Sequence, residues 1–198
     1  MHRKPHLYEK RAARHEGKIE TRNKDLKAET LRKQNLVEQV LLQNYKTYYR
    51  MAMSYTRNEQ DAMDIVQSGC ERAIRKSHLL EDEKHAGTWV YRIMMNETFR
   101  MLKERSRFNS ELAGAEAPDE GSADEHSGKT EAVTDSYENF DLHRAMEALP
   151  PEERAVIQMR YFDELKLSEI AVILHLNEST VKSKLYRTLD KLHLQLSV

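Results

Sequence analysis

Apolar residues recur every three or four positions along most of this chain, and this spacing constrains its fold more than any other feature. Such spacing is typical of helices that bury one face. A first stretch contains Leu36, Val37, Val40, Leu41, Tyr45, Tyr48, Tyr49 and Ala52, and a second contains Ala62, Ile65, Val66, Cys70, Ala73 and Ile74. No segment of useful length alternates as a strand does, and glycine and proline are scarce, at 6 and 4 of 198 residues. The sequence therefore predicts an all-α fold.

Local signals predict where several of these helices begin and end. Asn58 precedes the second stretch and is expected to cap its N-terminus. Gly69 lies inside that helix and is expected to weaken it by about 1 kcal/mol relative to alanine. A third helix is expected from about Thr88 to about Glu104, and Pro151 suits the first position of another.

Residues 108–137 differ in composition from the rest of the chain, because they are rich in Glu, Asp, Ser, Gly and Ala. This composition predicts a flexible acidic linker. It separates two small helical domains, residues 36–107 and residues 138–198.

Residues 1–35 form a basic extension with few apolar residues to bury. We expect it to be mobile, either disordered or as a solvated helix. Contact with nucleic acid through charge alone and a solvated tail without a partner both suit this composition.

The composition also excludes several classes of protein. Cys70 is the only cysteine, which excludes a disulfide framework within the chain and favours a cytoplasmic location. Because Cys70 belongs to the apolar stripe, we expect it to pack rather than to sense redox state. No apolar run approaches the roughly 20 residues needed to insert into a membrane. The histidines are scattered, and no phosphate-binding glycine loop or paired nucleophile and base is present, so we expect neither an enzyme nor a cofactor or metal site.

Residues 167–192 have the pattern of a helix-turn-helix. In the first helix, residues 167–174, Ile170, Ala171 and Leu174 are expected to face inward, and a brief turn at residues 175–177 follows. In the second helix one face is apolar, with Val181, Leu185, Leu189 and Leu192. The other face and its flanks carry Ser179, Thr180, Lys182, Ser183, Lys184 and Arg187. Hydroxyls and arginine can bond base edges and lysines can neutralise phosphates, so the pattern favours a DNA-reading helix over an ordinary surface helix.

With these motifs in place, the sequence resembles a known family. "ALPPEERAVIQMRYFDELKLSEIAVILHLNESTVKSKLYRTLDKL" is similar to the promoter-reading C-terminal domain of bacterial sigma factors, and most similar to that of the extracytoplasmic-function group. "NEQDAMDIVQSGCERAIRK" and "TWVYRIMMNETFRMLKERSR" resemble the N-terminal domain of the same group. The resemblance implies a protein that binds core RNA polymerase, directs it to promoters and assists promoter melting. Residues 138–198 would recognise the minus-35 element and residues 36–107 the minus-10 element.

The resemblance also implies roles for residues of the first domain. On the third helix Trp89, Arg92, Ile93, Asn96, Arg100 and Lys103 project to one side, which suits a single strand. Asn96 matches the asparagine of the family motif, whereas Arg100 stands where many relatives have an acidic residue. Trp89 is compatible with base stacking and equally with core packing. On the second helix the implied polymerase contacts are Asp61, Asp64, Gln67 and Glu71.

The expected partners are core RNA polymerase, through its β′ clamp coiled coil and β flap, promoter DNA and an anti-sigma factor, and the chain is expected to act as a monomer. Two alternatives remain open at this point. One is a helix-turn-helix transcriptional regulator, and the other is a polymerase-binding regulator without promoter-melting activity. The family often has glycine where this chain has His175, in the turn of the helix-turn-helix.

Overall fold

The computed structural model describes residues 6–113 and 137–196, all of them helical or in the connections between helices. Within these residues there is no strand, which confirms the all-α prediction. A π-helical turn, Gln158–Phe162, continues the fifth helix. The helices are α1 His6–Thr56, α2 Glu59–Arg75, α3 Ala86–Ala113, α4 Tyr137–Ala148, α5 Pro151–Ile157, α6 Leu167–Leu174 and α7 Glu178–Leu196.

Helix α1 includes most of the basic extension, so the structure has the helical one of the two predicted alternatives. Lys, Arg, Glu and Ala dominate its sequence before residue 33, and these residues are good helix formers even without a core to bury. The Arg32 guanidinium lies 2.6 Å from the Glu83 carboxylate, which fixes this part of α1 beside the turn that precedes α3.

Helices α1, α2 and α3 pack around one core. Val37, Tyr48 and Met51 of α1 are fully buried, and the rings of Tyr48 and Tyr91 meet edge to face at 6.1 Å. The prediction that Tyr45 faces the core was wrong, since its side chain is 47% exposed. At 100° per residue Tyr45 lies about 80° from Val37, at the margin of the apolar stripe.

The start of α2 follows the prediction in detail. The Asn58 side-chain oxygen accepts a hydrogen bond from the Asp61 backbone N–H at 2.9 Å. Gly69 does not interrupt α2, and it is buried against α3. A Cβ built at this position would overlap the Met94 Sδ atom, so glycine allows the two helices to approach closely here.

Helix α3 is longer at both ends than predicted. It begins at Ala86 and continues to Ala113, into the segment predicted as linker from residue 108. The sequence after Arg107 contains no glycine or proline until Gly114, so nothing ends the helix earlier. The rest of the predicted linker, residues 114–136, lies outside the described residues.

Helices α4 to α7 pack together, and their buried apolar residues continue the cluster of α1 to α3. Pro151 occupies the first position of α5, as predicted. In α6, Ile170 and Ala171 face inward as expected, but Ile173 is more deeply buried than the predicted Leu174, which is partly exposed. In α7, Val181, Leu185 and Leu192 are buried, and so is Thr188, which the sequence analysis did not identify.

The two domains contact each other where α3 meets α6, and their buried apolar residues form one cluster. Polar side chains add to this contact. The Tyr91 hydroxyl of α3 donates a 2.6 Å hydrogen bond to the Asp163 carboxylate, which follows the π-helical turn. The Arg154 guanidinium lies 4.5 Å from the centre of the Tyr55 ring, and Arg57 pairs with Glu147.

Candidate functional site

The second helix of the helix-turn-helix presents a polar face to solvent. Ser179, Ser183 and Arg187 are exposed on α7, one turn apart, and Thr180 beside them is partly exposed. The Ser183 hydroxyl donates to the Ser179 carbonyl at 2.9 Å, which leaves its oxygen lone pairs free to accept. Arg187 uses only its Nε–H within the helix, in a long 3.4 Å contact with the Ser183 carbonyl. Its two terminal nitrogens therefore remain available to a base edge or a phosphate.

The turn before α7 explains the position of His175. This residue adopts a left-handed conformation, with φ 54° and ψ 41°, directly after the last residue of α6. Glycine adopts this conformation at the lowest steric cost, which accounts for the glycine expected here from the resemblance. The Val181 N–H donates to the Asn177 carbonyl at 3.0 Å, so the helical hydrogen bonds of α7 begin at the last residue of the turn.

The two lysines predicted to flank the reading face differ in the structure. Lys182 is exposed. Lys184 is only 21% exposed in its side chain and donates to the Glu152 carboxylate of α5 at 2.9 Å. Lys184 therefore ties α7 to α5, and of the two Lys182 is the better placed to meet a phosphate.

The predicted minus-10 residues lie along one side of α3, at different depths. Asn96, Arg100 and Lys103 are exposed, Arg92 is partly exposed, and Trp89 is partly buried with its ring packed against the core. The placement of Ile93 on this side was wrong, because Ile93 is only 8% exposed. It lies about 60° from Asn96 around the helix, close enough to the core for its apolar side chain to turn inward.

A buried carboxylate beneath this side was missed in the sequence analysis. Glu97 is 1% exposed. Its Oε1 atom lies 2.6 Å from Arg72 Nε of α2, and its Oε2 atom accepts from Arg100 Nε at 3.0 Å. A signal was present, because Glu97 follows the buried Met94 by three residues and so falls on the apolar side of α3.

The predicted polymerase-binding residues share an exposed side of α2 and are engaged with neighbours. Gln67 Nε2 donates to Glu71 Oε1 at 3.1 Å, and Gln60 bonds Asp64 in the same way. Asp61 accepts a 3.0 Å hydrogen bond from Arg105 Nη1. Arg105 belongs to the basic stretch of α3 from Lys103 to Arg107, so this ion pair joins the α2 surface to the α3 surface.

Two further observations limit the chemistry of the described residues. Among residues 6–113 and 137–196 no group of His, Cys, Asp and Glu could hold a metal ion, and none of the helices there is long and apolar enough to span a membrane. Burial raises the pKa of the Cys70 thiol, and Glu71 raises it further. A thiol with a raised pKa is less reactive, in line with a packing role.

Comparison with known proteins matches both halves of this geometry. Residues 40–108 match the family Sigma-70 region 2, and residues 139–192 match Sigma-70, region 4. The chain is 33% identical over 150 residues to the RNA polymerase sigma factor SigV of Bacillus subtilis (strain 168), which covers 76% of this chain and 84% of SigV. It is 30% identical over 157 residues to the ECF RNA polymerase sigma factor SigW of the same strain, covering 77% of this chain and 82% of SigW.

The chain belongs to the extracytoplasmic-function (ECF) family of RNA polymerase sigma factors. It is therefore a transcription initiation factor, and the alternative of a regulator outside this family is not favoured. The fold agrees with that of a solved sigma factor. RpoE of Bartonella quintana, crystallised with the anti-sigma factor NepR, superposes with a TM-score of 0.65 at 22% identity, covering 81% of this chain and 96% of RpoE.

In sigma factor terms, α1 from residue 40 onward, α2 and most of α3 match region 2, and most of α4 to α7 matches region 4. The helix-turn-helix of α6 and α7 lies within region 4.

Proposed function

We propose that this sigma factor binds promoter DNA through two separate surfaces, one on α7 and one on α3, and binds core RNA polymerase through α2. The observation that carries the proposal is that both DNA-binding helices bury one side and present their polar side to solvent. Each surface is then free to meet DNA without unfolding its domain.

The α7 surface suits the major groove at the minus-35 element. Arg187 can donate two hydrogen bonds to a guanine, and the hydroxyls of Ser179 and Ser183 are short enough to allow close approach. Thr180 lies next to Ser179, near the N-terminus of α7. Lys182 and Lys184 are the proposed phosphate contacts, with Lys184 having to exchange its bond to Glu152 for one to DNA.

The α3 surface suits a separated strand at the minus-10 element. Asn96 offers both a donor and an acceptor to a base edge, and Lys103 can neutralise a phosphate. Arg92 and Arg100 extend the same side. The exposed part of Trp89 offers a stacking surface, while the rest of its ring remains in the core.

The α2 surface is the proposed contact with the β′ clamp coiled coil, through Asp61, Asp64, Gln67 and Glu71. These side chains are solvated, so they would set the register and the association rate more than the affinity. Region 4 would contact the β flap. Polymerase carries out the chemistry of RNA synthesis, and the sigma factor supplies promoter choice in the cytoplasm, where the chromosome and the polymerase are found.

We propose that the two domains separate on the polymerase, so that each reading surface reaches its own element. The elements are named for positions about 25 base pairs apart, or roughly 85 Å at 3.4 Å per base pair. The domains are in contact in the structure, where the Tyr91 hydroxyl lies 2.6 Å from the Asp163 carboxylate. A chain spans up to about 3.5 Å per residue when extended, so a connection as long as residues 114–136 is sufficient for separation by several tens of ångströms.

An anti-sigma factor is the proposed inhibitor, since the similar RpoE was crystallised with one. We propose that it binds the chain as a monomer. Pull-down of native partners with the full chain, with and without added core polymerase, tests this. We expect an anti-sigma factor that binds the free chain and prevents it from binding polymerase. A partner that binds the holoenzyme as well as it binds the free chain would contradict this proposal.

Transcription reconstituted from the full chain, bacterial core polymerase and a promoter library tests the main proposal. The expected result is start-site selection that core polymerase alone does not have. Arg187→Ala should abolish minus-35 preference while core binding, measured by gel filtration, is retained. The matched control is Tyr186→Ala, an exposed neighbour outside the predicted reading face. Transcription without promoter selection by the folded wild-type chain would refute the proposal.

A further inference from the structure

Arg100 on the α3 surface is held between two carboxylates. Its Nε donates to Glu97 Oε2 at 3.0 Å, and its Nη2 lies 2.9 Å from the same oxygen. Its Nη1 donates to Glu104 Oε1 at 2.8 Å. The side chain remains 44% exposed, beside Asn96 and Lys103. Its orientation is therefore fixed before any DNA binds.

A count of donors shows what this arrangement leaves free. A guanidinium has five N–H donors, and hydrogen bonds to the two carboxylates use two of them, one on Nε and one on Nη1. At least one N–H remains on each terminal nitrogen. Two N–H groups in one plane can donate to two neighbouring acceptors at once. A guanine has such a pair in O6 and N7, and a phosphate has one in two of its oxygens.

The surrounding charges distinguish these two ligands. Arg72 also contacts Glu97, at 2.6 Å, so the cluster consists of two arginines and two glutamates and carries no net charge. Attraction to a phosphate depends on net positive charge, and here that charge is cancelled. Hydrogen bonding to a neutral base edge does not depend on net charge, so it is retained.

We propose that Arg100 reads the O6 and N7 edge of a guanine in the minus-10 element, and that Glu97 is the positioning residue that fixes it for this contact. The inference rests on the proposed function, which places DNA along α3, and adds a specific base and the reason for it. Glu97 itself touches no DNA because it is buried.

The test is promoter binding by holoenzyme made from the full chain and bacterial core polymerase, with a library randomised through the minus-10 element and at several salt concentrations. Arg100→Ala should lose a guanine preference of about 5- to 150-fold at one position, the range for one bidentate contact. The salt dependence of binding should not change. Arg100→Lys should lose the same preference, because lysine keeps the charge but lacks the paired donors.

Lys103→Ala is the matched control on the same side of α3. It should weaken binding to all sequences and lower the slope of log affinity against log salt by about 0.7 to 1. Glu97→Gln should weaken the guanine preference and also steepen the salt slope, since Arg100 would then carry uncancelled charge. A purely structural role for Glu97 would not produce a steeper slope.

A loss that is equal for all sequences, with a shallower salt slope for Arg100→Ala, would overturn the inference and make Arg100 a phosphate contact. An unchanged library profile would overturn it by leaving Arg100 only as a partner of Glu97. If Glu97→Gln does not fold, the exposed Arg100→Lys decides the question alone. If the wild-type holoenzyme selects no promoter, the proposed function is wrong. If the wild type selects promoters and Arg100→Ala has the same sequence profile, only the inference about Arg100 is wrong.

Discussion

Replacing Tyr91 by phenylalanine should release region 4 from region 2 without unfolding either domain. The substitution removes one hydroxyl, and with it the 2.6 Å hydrogen bond to Asp163. Burial raises the pKa of the Tyr91 hydroxyl, and the Asp163 carboxylate raises it further, so this hydroxyl remains a donor throughout the physiological range. A hydrogen bond to a charged group contributes about 1.5–3 kcal/mol. The docked population should therefore fall about 10- to 150-fold relative to the undocked one.

Energy transfer between two dyes measures this equilibrium. The exposed Leu42 of α1 and Leu194 of α7 can be replaced by cysteine, with Cys70 replaced by alanine so that only the new thiols react. Tyr91→Phe should lower the transfer efficiency. Tyr45→Phe, which removes a hydroxyl from a tyrosine that is 47% exposed, is the matched control and should leave it unchanged.

The pH dependence of stability tests the surroundings of Asp163. Desolvation raises the pKa of Asp163 above 3.8, while hydrogen bonds from Tyr91 and Gln158 and the charge of Arg50 oppose this in part. The folded chain therefore favours the protonated acid, and this contribution to the free energy of unfolding is complete below pH 3.8 and is lost as the pH rises through the folded-state pKa. Asp163→Asn stays neutral, so its free energy of unfolding in urea should rise relative to that of the wild type between pH 4 and pH 7. An equal difference at both pH values would refute the reasoning.

Three further substitutions test the packing and the turn. Gly69→Ala should lower the free energy of unfolding, measured by urea titration, by about 1 kcal/mol. Overpacking against Met94 costs about 1–3 kcal/mol, which exceeds the roughly 1 kcal/mol that alanine gains in helix propensity. A more stable variant would contradict this. His175→Gly should raise the free energy of unfolding by about 0.5–1 kcal/mol, because relief of the left-handed conformation gives about 1–2 kcal/mol and the greater freedom of glycine in the unfolded chain costs about 0.4–1 kcal/mol; a less stable variant would mean that the imidazole makes a compensating contact. Lys182→Ala should lower the salt slope of minus-35 binding by about 1, and Lys184→Ala by less, because its charge is already matched by Glu152; equal slopes would show that Lys184 leaves that pair on DNA.

Features that depend on neighbouring residues in the sequence were predictable. Apolar spacing gave the helices, and the Asn58 cap and Pro151 at a first helical position followed from single residues whose geometry is local. The exposed faces of α2 and α7 followed for the same reason, since a helix with one apolar side must turn the other to solvent.

Features that depend on contacts between helices were not predictable in this way. The length of α3 beyond residue 108 was not predicted either, because the composition of residues 108–137 was interpreted as a linker and its first residues are helical. The spacing within α3 places Glu97 on the buried side, but it does not predict the ion pair with Arg72, which belongs to another helix. The ion pair of Lys184 with Glu152 was not predicted, because α5, which provides Glu152, cannot be placed beside α7 from sequence.

The contacts between the two domains show why docking is compatible with the proposed separation on the polymerase. The Tyr91–Asp163 bond contributes about 1.5–3 kcal/mol, an exposed pair such as Arg57–Glu147 about 0–1, and a cation–π contact such as Arg154 on Tyr55 about 0.5–2. The gross sum of these polar contacts is a few kcal/mol, to which the apolar contact between α3 and α6 adds, before the loss of freedom on docking is subtracted. A partner that binds only the separated domains with nanomolar affinity supplies about 12 kcal/mol. Polymerase can therefore open the docked form and still bind tightly, whereas a partner that binds the docked form needs only a small preference to keep most of the chain closed.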